Sequence, residues 1–83
     1  MQKTILVVAL NKRTEALRMA TGLTLLDDQV RVKVCGPLDP DADEQLEALE
    51  FADVAVEHAD LSRSEDIHGL AQSIATSDAV YVL

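Results

Sequence analysis

The chain has 83 residues, with 15 acidic side chains against 7 basic ones for a net charge of −8; 48% of its residues are apolar and only 2% aromatic. That length allows one domain, residues 1–83, near the lower limit for a layered α/β core, where about 60–65% of the unfolded surface is buried. The charge and the scarcity of aromatics exclude a nucleic-acid binder, which needs a basic face to neutralise phosphate or rings to stack on bases.

The longest clear apolar run, ILVVAL, is far short of the ~20 residues of a membrane span, so no membrane partner is expected. The N-terminus shows no charged-then-apolar leader with a cleavage site, and a lone cysteine cannot close an intramolecular disulfide. A cytoplasmic protein is expected. So short a chain, so rich in aliphatics, is expected to complete its core by forming a homo-oligomer.

Thr4 to Leu10 is a continuous apolar run with β-branched residues, the pattern of a parallel strand covered on both faces. Asn11 or Thr14 is placed to cap a helix extending to Leu26, with Ala16, Met19, Ala20, Leu23 and Leu26 toward the sheet. Gly22 inside that helix costs about 1 kcal/mol against alanine, which a close helix–strand contact would explain. Asp27, Asp28 and Gln29 form the next turn.

Val30 to Cys35 alternates, with Val30, Val32 and Val34 on one side and Arg31 and Lys33 on the other, so an edge strand is expected. After Gly36, Pro37 and Pro40, an acidic helix is expected over Asp41–Glu50, with Ala42, Leu46 and Leu49 on its apolar face. A short strand follows over Asp53–Glu57. Ser62 and Glu65 have capping-box spacing for a last helix striped by Ile67, Leu70, Ala71 and Ile74. Ala79 to Leu83 is the fourth strand.

The alternation of strand and helix periods implies a three-layer α/β/α sandwich on a four-stranded, mostly parallel sheet, in a flavodoxin-like arrangement. Strands one and four, the most apolar, are expected inside the sheet; should strand four lie at an edge, a second subunit would cover it.

In a parallel sheet all strand ends meet on one rim, where open α/β sheets collect ligands. That rim should carry Asn11, Lys12 and Arg13 after the first strand, Cys35 after the second, and His58 and Asp60 after the third. Lys12 and Arg13 at a helix start make a candidate anion site. The turn has no glycine and neither nucleotide-loop pattern, so no nucleotide cofactor is expected.

Cys35 is a candidate nucleophile or sulfur carrier if Lys12, Arg13 or His58 favours its thiolate; a cysteine set among valines is more often a small core residue. His68 should face solvent. One cysteine and two scattered histidines make no zinc site. The acids from Asp39 to Glu50 lack calcium-loop spacing and read as a solvated helix face, or as a surface for a basic protein partner.

The segment TEALRMATGLTLLDDQVRVKVCG, and the closing DLSRSEDIHGLAQSIATSDAVYVL, resemble the DsrE/DsrF-like family of small α/β sulfur-relay proteins. Together they cover about two-thirds of the chain. The resemblance implies a cytoplasmic, oligomeric accessory protein of sulfur metabolism. Sulfur-carrying members place a cysteine after the second strand, near the start of the next helix; here that stretch, DPDADEQLEALE, has none. Thr14 to Val34 therefore carry over as scaffold, and Cys35 does not match the sulfur-accepting position.

Three functions compete: a non-catalytic DsrE-like subunit, a thiol-dependent sulfurtransferase or carrier using Cys35, and a small-anion module at Asn11–Arg13 with His58 beside it. The missing family cysteine favours a protein that is not an enzyme.

Overall fold

A computed structural model describes residues 3–26 and 28–83. The elements alternate as β1 (Thr4–Ala9), α1 (Arg13–Leu23), β2 (Gln29–Val34), α2 (Asp43–Phe51), β3 (Ala55–His58), α3 (Ser64–Thr76) and β4 (Ala79–Val82), with one 3-10 turn, Pro40–Ala42, leading into α2. All four strands are parallel, in the order β3-β2-β1-β4. The three-layer α/β/α sandwich expected from the alternation is thus present.

The order explains the layers. Right-handed crossovers from β1 to β2 to β3 place α1 and α2 on one face, and the return over two strands to β4 places α3 on the other. Successive strand residues then feed different cores. Ile5, Val7 and Ala9 join Val30, Val32 and Val34 against Ala16, Leu17, Ala20 and Leu49. Leu6 and Val8 join Cys35, Ala59, Val80 and Leu70 on the α3 side.

Of the strand-order expectations, the interior place of β1 holds and the other two are corrected. β2 is interior, between β1 and β3, and β4 is an edge. The alternation in β2 is real, since Val30, Val32 and Val34 are buried while Gln29 and Arg31 are exposed. Its wet side arises because α3 covers β1 and β4, leaving β2 and β3 bare on that face. There Lys33 meets its register partner Glu57 across the strands, Nζ to Oε2 at 3.2 Å.

α1 ends at Leu23, not Leu26, and Leu26 is exposed. Leu17 is fully buried in place of Met19, which is half-buried. Neither Asn11 nor Thr14 caps α1: the N-cap is Lys12, with no side-chain bond. Gly22 is exposed and a Cβ there would touch nothing within 4 Å, so no close strand contact accounts for it. Asp27 lies outside the described residues; Asp28 beside it accepts from the Lys3 N–H at 3.1 Å, and Asp78 accepts from the Thr4 N–H at 2.8 Å.

α2 matches expectation: Ala42 and Leu49 are buried, Leu46 packs beside them, and every acid from Asp39 to Glu50 is exposed. Asp53 belongs to the end of α2 and not to β3. Its φ of 59° closes the helix, with the Val54 N–H bonded to the Leu49 carbonyl and the Asp53 N–H to that of Glu50, both at 3.0 Å. That pair is the Schellman closure, and Val54 returns to the core against Leu49.

The capping box at Ser62 and Glu65 does not form. α3 starts at Ser64 after Arg63, and the Ser62 N–H and hydroxyl both bond the Asp60 carboxylate, at 2.9 and 2.6 Å. The stripe on α3 is only partly used: Leu70 packs on the sheet, but Ile67 and Ile74 stay exposed and no α3 residue is fully buried.

Candidate functional site

The parallel sheet gathers the predicted residues on its carboxyl rim, but not into one cluster. Parity decides this. His58 lies opposite Val34 in the register and so projects on the α1/α2 face, where it lines a cleft with Leu46 and Val56. Cys35, one residue past Val34, turns to the other face and packs with Leu6 and Val8. The register thus sets the imidazole and the thiol on opposite faces, although His58 also lines the cleft onto which Cys35 opens.

Cys35 is 8% exposed, and its N–H continues the ladder to the Ala9 carbonyl at 2.8 Å. Burial pushes its thiol above the ordinary value of 9.0; Lys33 and Arg13 pull the other way and do not prevail. Lys33 shares the face of Cys35 two residues back, yet its ammonium is paired with Glu57.

The thiol opens onto a cleft of about 440 Å³ lined by Gly36, His58, Ala59, Asp60, Ser62 and Asp66 among others. Asp60 and Asp66 set the electrostatics of its mouth. Asp66 accepts from the Asp60 N–H at 2.8 Å, and the bonds from Ser62 hold the Asp60 carboxyl below its usual 3.8. Two fixed carboxylates repel an anionic sulfur donor such as polysulfide or thiosulfate. Topology alone places Asp60 on this rim and gives no sign of Asp66; the D-x-S spacing of Asp60 and Ser62 is a signal for an Asx-type turn.

Arg13 is a clamp. Its Nε donates to the Pro37 carbonyl at 2.6 Å and its Nη1 to the Leu10 carbonyl at 2.9 Å, tying the exit of β2 to the exit of β1. Gly36 makes room for it. With φ +138°, Gly36 takes a conformation that side chains rarely adopt, and a Cβ there would stand 3.0 Å from Arg13 Nη1.

Asn11 and Lys12 are exposed at the β1–β4 boundary, where the helices part to opposite faces. The Asn11 and Leu10 N–H groups both donate to the Leu83 carbonyl at 2.8 Å. Glu15 stands in the first turn of α1 and is favoured there by the helix dipole. Among the described residues no three His, Cys, Asp or Glu side chains group to hold a metal, and no helix is long and apolar enough to cross a membrane. Comparison with protein families, with curated proteins and with solved structures finds no match.

Proposed function

We propose that this chain is a non-catalytic DsrE-like accessory module of the cytoplasm, acting by association with a partner rather than by thiol chemistry. The observation that carries the reading is the setting of Cys35. Its thiol is packed on Leu6 and Val8, is raised in pKa by burial, and faces carboxylates at the cleft mouth. A sulfur acceptor needs the opposite conditions, a thiolate favoured by positive surroundings and open to its donor.

The link to sulfur metabolism rests on the resemblance of the Thr14–Gly36 and Asp60–Leu83 segments. An anion module at Asn11–Arg13 has less support, because the Arg13 guanidinium is already engaged by two carbonyls. The exposed acids of α2 leave a basic protein partner as the natural occupant of that face.

Intact-protein mass spectrometry after brief exposure to polysulfide tests the reading. The expected result is the unmodified mass for wild type and Cys35→Ser alike. A sulfur adduct on folded wild type that is absent from Cys35→Ser would overturn it and make Cys35 a carrier.

A further inference from the structure

The two edges of the sheet differ in a way that bears on partners. Unpaired edge strands invite further pairing, and proteins guard against it with charges, prolines or bulges. The β3 edge is guarded: Asp53 precedes it, and Glu57 and His58 are exposed within it. The β4 edge has no such guard. From Ile67 to Leu83 the only charged side chain is Asp78, in a chain of net charge −8, and the Asp78 carboxylate is engaged by the Thr4 N–H.

Large apolar side chains flank that edge. Tyr81 is 42% exposed on one side of the strand and Val82 56% exposed on the other, with Ile67 and Ile74 exposed on α3. Leu70 points to the sheet, so the right-handed wind of α3 turns the Ile67–Ala71–Ile74 flank outward over β4. These exposed side chains form an apolar strip along the β4 edge.

We infer that β4 pairs antiparallel with β4 of a second copy across a two-fold axis, joining two sheets into one of eight strands with the α3 helices side by side. The inference rests on the reading that the chain acts by association, and supplies its self-partner. Charge fixes where two copies can meet: they repel each other most strongly through α2 and least across this charge-depleted strip.

The ladder also fits itself. Ala79 and Tyr81 lie opposite Ile5 and Val7, and Leu83 exchanges bonds with Val8 and Leu10, so the odd-numbered residues turn their backbone groups to β1. Val80 and Val82 therefore present theirs to the open edge. An axis at Tyr81 sets Val80 against Val82 of the other copy, twice, giving reciprocal backbone bonds with each helix layer kept on its own side. Tyr81 then faces its own counterpart as a non-hydrogen-bonded pair, with Cα atoms about 4.5 Å apart.

Sedimentation equilibrium over a dilution series should show twice the protomer mass of 9.0 kDa, and Val82→Lys should restore the single mass with unchanged circular dichroism. Tyr81→Cys in a Cys35→Ser background should oxidise to a covalent dimer, since disulfide Cα atoms lie about 4.4–6.8 Å apart. Phe51→Cys, at the exposed end of α2, should not. A wild type that stays at 9.0 kDa, an assembly whose mass survives Val82→Lys, or a Tyr81→Cys variant that fails to cross-link would each overturn the inference. The sulfur-adduct assay reads Cys35 alone, so a failed pairing and a failed non-catalytic reading are told apart.

Discussion

The same substitution, glycine to alanine, should have opposite effects at two positions of this chain. At Gly22 the helix surface is open and a Cβ would meet nothing within 4 Å, so alanine gains only helix propensity and loses unfolded-state freedom, about 1 kcal/mol of added stability. At Gly36 the φ of +138° is strained for any side chain, at about 1–3 kcal/mol. The added Cβ would also stand 3.0 Å from Arg13 Nη1 and 3.3 Å from Cζ. The guanidinium cannot yield freely, because its bonds to Pro37 and Leu10 anchor it; loosening one such charged bond costs about 1.5–3 kcal/mol. Gly36→Ala should therefore lose about 2.5–6 kcal/mol. Urea unfolding at one protein concentration measures both, since self-association would make the midpoint concentration-dependent. Gly22→Ala should shift the melting temperature upward by about 4–8 °C. The double variant Gly36→Ala/Arg13→Ala should recover the steric part of the loss and keep the φ part, a coupling that the double-mutant cycle isolates. A neutral Gly36→Ala, or a destabilised Gly22→Ala, would refute the reasoning.

Three further outcomes follow from local geometry. Asp53→Gly removes the left-handed penalty at φ 59° while keeping the Schellman bonds, and should raise the urea midpoint by about 0.5–1 kcal/mol equivalent with an unchanged slope. Burial raises the Cys35 thiol above 9.0 in the folded chain, so the unfolded chain loses its proton first. Wild type should lose stability relative to Cys35→Ser as pH rises beyond that value, and iodoacetamide labelling should stay slow until denaturant is added. The Asp60 carboxyl is held below 3.8 by Ser62, so its contribution is present above that value and is lost as pH falls through the folded-state pKa. Ser62→Ala should move the Asp60 titration back toward 3.8, read by carboxyl NMR shifts.

The layers were legible because periodicity reports faces. The unbroken run Thr4–Ala9 is buried on both sides, and the acidic helix hides Ala42, Leu46 and Leu49 as its spacing implies. Edges are a different matter. Arg31 and Lys33 alternate with valines because α3 leaves that side of β2 bare, and not because β2 lacks a neighbour. The apolar Ala79–Val82 gave no sign of its position, since an interior strand and an unguarded edge have the same composition. Only the crossover pattern separates them, and that is a property of the whole chain.

The rim shows the same limit at smaller scale. Topology brings Asn11, Cys35 and His58 to one edge of the sheet, as the strand count implies. Which face each side chain takes depends on parity in each strand: one residue more or less in β2 would set the thiol and the imidazole on the same face. The capping assignments failed for a related reason. Ser62 has a stronger local partner in Asp60, two residues back, than the N–H groups of α3. Arg13, read as a free cation at a helix start, instead finds two carbonyls, because Gly36 opens the space beside it. A cation held by backbone carbonyls stiffens the rim but offers little to an anion. On the charge-depleted strip of α3 and β4, by contrast, Ile67, Ile74, Tyr81 and Val82 are exposed and need give up no polar partner for another molecule to bind.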